Sequence, residues 1–120
     1  MPNARNHAIV QVAFADDGTL SGAIDLGGNR IFAIQIPSSW TAADITFDGS
    51  ASGATYAPVY YGDDSELVIQ AAASRYVVLT AAQAAALLGL RYLKVRSGTN
   101  GSPVQQAGGP LTVDLITIPA

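Results

Sequence analysis

The chain has 120 residues, no cysteine, one histidine and a formal net charge of −3 from six basic and nine acidic residues. The missing thiols exclude disulfides and thiolate metal sites, a single imidazole excludes a multi-histidine centre within one chain, and the acidic balance argues against nucleic acid as a direct partner. Charged residues make up 12% of the chain, about half of the ~25% usual in a soluble domain, which predicts a surface partly covered by a partner or by copies of itself.

Residues 1–7, Met1-Pro2-Asn3-Ala4-Arg5-Asn6-His7, read as a flexible polar arm without the apolar core of a secretory leader. No apolar run reaches ~18 residues, so no transmembrane helix is expected. Residues 8–120 read as one domain. Residues 8–15 alternate as a strand with Val10, Val12 and Phe14 on one face. Asp16-Asp17-Gly18 is a turn, and residues 19–26 are expected to return as the second arm of a hairpin. After Gly27-Gly28-Asn29, residues 30–36 form a strand that is apolar on both faces and therefore central; Pro37 ends it.

A loop over residues 37–43 carries the only tryptophan, Trp40. Residues 44–50 form the fourth strand, with Ile45 and Phe47 inward. Residues 55–61 form a fifth, which Pro58 assigns to an edge. Residues 67–69 and 75–79 are short strands. Thr80-Ala81-Ala82-Gln83 has the capping-box pattern, and the alanine-rich run after it predicts a helix over residues 81–88 closed by Gly89. Residues 90–97 form the next strand and residues 111–118 the last. Between them lies a long loop over residues 98–110, rich in Gly, Ser, Asn, Pro and Gln, which points to a role in contacts. Eight or nine short strands at regular spacing define an all-β, single-domain antiparallel sandwich with one short helix.

Catalytic candidates are few. No serine has a base to activate it, and His7 lies in the arm, so a serine–histidine triad is not expected and the chain does not read as an enzyme. No cofactor motif is present; Gly27-Gly28 lacks the third glycine and helix of a phosphate loop. Asp63-Asp64-Ser65-Glu66 clusters carboxylates on a turn, but its spacing matches no calcium loop, and a solvated acidic turn is the simpler reading. Lys94 and Arg96 share one strand face, which reads as a solvated face or as a pair with Asp48 on a neighbouring strand sooner than as a site for an acidic partner. Trp40, Tyr60 and Tyr61 fall in or near loops, where aromatic rings plug a core, anchor an interface or stack on sugars. Together with Asn100, Gln105 and Gln106 of the long loop, they are the candidate contacts to a partner or glycan.

The order Ala23-Ile24-Asp25-Leu26-Gly27-Gly28, Ile34-Gln35-Ile36-Pro37, Trp40-Thr41, Ile45-Thr46-Phe47, Ala54-Thr55-Tyr56, Pro58-Val59-Tyr60, Arg91-Tyr92-Leu93-Lys94-Val95-Arg96-Ser97-Gly98-Thr99 and Pro103-Val104-Gln105 resembles small virion structural proteins of tailed bacteriophages. The resemblance spans roughly residues 20–106. The middle region is also similar in pattern to discoidin-like, galactose-binding-like sandwiches, though its turn over residues 50–55 lacks their usual Asp-Gly pair. The resemblance implies a jelly-roll or galactose-binding-like sandwich. It also implies a decoration, cement or fibre-base protein on the outside of a particle assembled in the host cytoplasm. Its expected partners are major capsid or neck and tail proteins and further copies of itself, with neither membrane nor nucleic acid bound. The alternative is a carbohydrate-binding module that recognises a host-surface glycan.

Overall fold

Alternation of inward and outward side chains decides most of the strands, and long-range pairing decides their order. The computed structural model describes residues 7–120; residues 1–6 of the arm lie outside the described residues. In chain order the elements are β1 (Ala8–Phe14), β2 (Ile24–Asp25), β3 (Asn29–Gln35), β4 (Ile45–Ser50), β5 (Ala57–Pro58), β6 (Tyr76–Val78), α1 (Ala81–Leu87), β7 (Tyr92–Thr99), β8 (Ser102–Pro103) and β9 (Leu111–Pro119).

Two antiparallel sheets face each other. The first has the order β1-β9-β3-β6 and the second β2-β7-β4-β5, with β8 folded back on β7. From β1 to β4 the chain changes sheet at every step, and the first strand pairs with the last. Eight strands wired in this way, 1-9-3-6 over 2-7-4-5, form a jelly roll, two Greek keys closed into a sandwich. The all-β sandwich read from the sequence is thus the fold of the chain.

The core lies between the sheets. Val12 and Phe14 of β1, Ile31 and Ile34 of β3 and Val113 and Leu115 of β9 meet Ile45 and Phe47 of β4 and Leu93 and Val95 of β7. Each such fully buried side chain contributes about 1.5–3 kcal/mol of apolar burial. Trp40 is also inside. Its ring meets Phe14 edge-on, centroids 5.7 Å apart at 76°, and its Nε1 donates to the Ala43 carbonyl at 3.0 Å. It closes one end of the sandwich.

Helix α1 forms where its cap predicts. Thr80 Oγ1 accepts from Gln83 N at 3.2 Å, Gln83 Oε1 accepts from Thr80 N at 2.9 Å, and Gln83 Nε2 donates on to the Val68 carbonyl at 3.0 Å. The capping box therefore also ties the helix to the sandwich. Gly89 does not close it in the left-handed region; Leu88 is the C-cap, with ordinary helical φ and ψ.

Three further expectations need correction. The Asp16-Asp17-Gly18 turn exists, with Gly18 N bonded to Ala15 O at 2.8 Å, but it does not make a hairpin. The chain crosses to the other sheet, where Ser21 N and Leu26 N donate to Val95 O and Arg91 O of the second layer. The side of β1 that residues 19–26 were expected to occupy is left as a sheet edge. Residues 67–69 make only an isolated bridge, between Ile69 and Ile45. Residues 98–110 are not a free loop. Strand β7 runs on to Thr99 and turns into β8, and Gln106 then bridges to Gly18. Gly98 allows that turn. Its φ is +88°, and a Cβ there would stand 2.5 Å from the Ser102 carbonyl oxygen.

Candidate interaction face

The two outer faces of the sandwich differ in chemistry, and register explains the difference. On the second sheet, the outward pairs between β4 and β7 are Thr46–Arg96, Asp48–Lys94 and Ser50–Tyr92. Every position is polar or amphipathic, and the charges are engaged. Arg96 is buried and pairs with Asp48 and, at 3.8 Å, with Glu66; its Nη1 also donates to Thr46 Oγ1 at 3.3 Å. Lys94 Nζ lies 4.5 Å from the centroid of the Tyr56 ring. Burying these ions costs solvation, which the mutual pairing and hydrogen bonds offset. The alternation of β7 puts Lys94 and Arg96 on one face as expected; the register sets Lys94 opposite Asp48, and it is Arg96, one pair along, that reaches the carboxylate.

On the first sheet the outward positions stack into rows across all four strands. Ile9 of β1 opposes Ile116 of β9, which opposes Ala33 of β3, which opposes Val78 of β6. The next outward row is Gln11, Asp114, Gln35 and Tyr76. One row is wholly apolar and its neighbour is polar. Between Ile31 and Ala33 the register of β3 shifts, and this irregularity pushes Phe32 outward beside the apolar row. Ile9 is 58% exposed, Phe32 43%, Tyr76 53% and Val78 53%, whereas Ala33 and Ile116 in the middle of the row are covered by their neighbours. A shallow basin of about 830 Å³ lies over this patch, lined by His7, Ile9, Phe32, Gln35, Tyr76, Ile116 and Ile118. Gln35 and Tyr76 also line an adjoining, more polar basin of about 470 Å³ that reaches Gln11, Thr112, Asp114 and Arg75. An apolar strip with a polar border on one face has the layout of a protein contact surface.

The residues singled out from the sequence do not gather in one place. Trp40 and Gln106 are inside the molecule, where neither a partner nor a sugar reaches them. Gln106 is fully buried. Its side-chain amide serves the backbone of Thr41 and the hydroxyl of Ser97 instead. Tyr61 is half-buried and packs against the core. Tyr60 is 46% exposed, in the turn region bridged to Glu66. Asn100 is exposed, but its backbone N–H is held by the Glu66 carboxylate at 3.0 Å. Gln105 is exposed. Trp40, Tyr60 and Tyr61 therefore do not form a stacking platform, since only one ring faces out.

The acidic turn is engaged internally. Asp63 accepts from the Ser65 hydroxyl and from Ser65 N at 3.0 Å, and these bonds hold its carboxyl below the usual carboxylate range. Glu66 turns toward Asn100 and Arg96. Among the described residues no group of three or more His, Cys, Asp or Glu side chains is arranged to hold a metal ion. No helix among them is long and apolar enough to cross a membrane.

Sequence reading missed the apolar row. Its signal is the double-sided apolarity of several strands. The runs Ala8-Ile9-Val10, Ile31-Phe32-Ala33-Ile34, Val77-Val78-Leu79 and Leu115-Ile116 leave no polar outward position where a solvated sandwich face would have one. The fold and this face together define a jelly-roll domain with one charge-paired polar face and one face on which an apolar strip runs beside a polar row. Comparison with protein-family models, with curated proteins and with solved structures finds no match to the chain.

Proposed function

We propose that the protein is a non-enzymatic structural component of a bacteriophage particle, a decoration, cement or fibre-base block. It attaches through the outer face of the β1-β9-β3-β6 sheet to a neighbouring capsid, neck or tail protein. The observation that carries this reading is the exposure of Ile9, Phe32 and Val78 along and beside the apolar row Ile9–Ile116–Ala33–Val78, whose two middle members are covered. A monomer working alone gains nothing from such a strip, whereas a docked block buries it. Two further points support it. Only 12% of the chain is charged, which suits a surface shared with neighbours. Jelly rolls also recur in viral coat proteins, a likeness of fold that carries no function by itself. Repetition of the block over a particle multiplies individually modest contacts into firm attachment.

Quantitative mass spectrometry of purified particles tests the assignment. The reading expects the protein at many copies per particle, retained through high-salt washing because the contact is apolar. Its absence from intact particles would sink the reading, and a positive glycan array without particle association would replace it with the sugar-binding one.

A further inference from the structure

Among the described residues, strand β1 is an open edge that carries none of the usual protection. The strands that end the two sheet paths among the described residues are β1, β6, β2 and β5; β8, off the path on β7, is two residues long and contains Pro103. Three are blunted in familiar ways. Strand β5 is two residues long and contains Pro58; β2 is two residues long and contains Asp25; β6 is three residues long and follows directly on Arg75. Shortness, proline and charge all discourage a second chain from pairing with an edge. Strand β1 is seven residues long, AIVQVAF, without charge or proline. Its pairing with β9 runs from Ala8–Thr117 to Phe14–Leu111 without a break in register. On its other side no strand among the described residues pairs with it, so alternate N–H and C=O groups along seven residues face outward.

The sequence of β1 also suits its own copy. An antiparallel twofold pairing opposes each position to its mirror, so a charged residue near the centre would meet a like charge. None is present. The central residue is Gln11, whose amide both donates and accepts and can therefore bond its own counterpart. Pairing about Gln11 places Val10 of one copy opposite Val12 of the other on the inner side, which extends the core across the junction. On the outer side it places Ile9 opposite Ala13.

We propose that a second copy of this chain occupies the β1 edge, antiparallel and with the twofold axis through Gln11, joining two four-stranded sheets into one of eight strands. This contact is separate from the outer-face attachment and stands without it.

The absence of native cysteine makes the register directly testable by single-thiol variants of the full chain. Opposed Cα atoms in an antiparallel pair lie about 4.5–5.5 Å apart, within disulfide reach. Under mild oxidation Gln11→Cys should cross-link to itself. Ile9→Cys and Ala13→Cys should cross-link rapidly only when mixed, and Val78→Cys, exposed on the far edge strand, should not. In sedimentation velocity the unmodified protein should show a concentration-dependent dimer. Gln11→Lys, which opposes two like charges at an exposed position, should weaken that dimer by up to about fivefold. A strict monomer at all concentrations overturns the proposal. So does a dimer indifferent to Gln11→Lys, or one in which the 9 and 13 thiols cross-link no faster mixed than alone, because a foreign strand or a face-to-face pair would then be the occupant.

Discussion

Gln106 and Thr41 lie 65 residues apart in the chain and meet as a closed pair: Gln106 Oε1 accepts from Thr41 N at 2.7 Å, and its Nε2 donates to Thr41 O at 2.9 Å. The same Nε2 reaches Ser97 Oγ at 2.7 Å. One buried side chain thus imitates the pairing of a neighbouring strand. It fixes the loop beside Trp40 to the segment that follows β8.

Gln106→Ala should therefore destabilise the fold by about 2–3 kcal/mol, from lost packing and from backbone groups of Thr41 left without a partner. Urea denaturation checks this through a lower midpoint at unchanged slope. The proposed attachment face should be unaffected, because Gln106 is held on Thr41 and Ser97 and does not line it.

The Arg96 cluster gives a second stability prediction. Arg96→Met leaves the carboxylates of Asp48 and Glu66 without their cation in a site that is 15% and 13% exposed at those side chains. The cost should be about 3–5 kcal/mol, as for other buried pairs broken on one side. Adding Asp48→Asn should cost less than the sum of the two single changes, and a double-mutant cycle by chemical denaturation measures that coupling.

Acid sensitivity follows from Asp25. The Arg91 guanidinium, bonded to both carboxylate oxygens at 2.9 and 3.0 Å, and then the Gly27 N–H hold this carboxyl below its ordinary range. A carboxyl depressed in the folded state adds stability above its unfolded pKa, and loses it as pH falls through the folded value. The pair should thus contribute fully at neutral pH and vanish in acid. Carboxyl NMR titration should show Asp25 titrating low. Arg91→Gln should raise its midpoint only part of the way back, because the Gly27 bond remains.

Local chemistry was legible in the sequence, and long-range wiring was not. Thr80 and Gln83 specify the helix start within four residues, and the alternation around Ile45, Phe47 and Val95 specifies inward faces. The shared face of Lys94 and Arg96 follows from the same alternation, but which of the two reaches Asp48 does not. By contrast, Asp16-Asp17-Gly18 encodes a turn but not the strand it leads to, and the chain crosses to the other sheet. Ile9 and Ile116 each look like single exposed residues. They become a row only when β1 pairs with β9, a contact between the two ends of the described chain. Gln106 gave no sign of burial, since a glutamine in a Gly- and Pro-rich stretch ordinarily faces water and only the fold supplies Thr41 as its partner.

The most direct test of the central claim is the binding of the purified protein to phage particles assembled without it. The variant to compare is Phe32→Ser/Val78→Ser, whose two positions are exposed enough to leave the fold intact. The wild-type chain should bind saturably, the double variant should bind about tenfold more weakly or worse, and Tyr60→Ser, away from that face, should bind like wild type. Equal binding by the double variant, or no binding by the wild-type chain, would contradict the assignment of the β1-β9-β3-β6 face as the attachment surface.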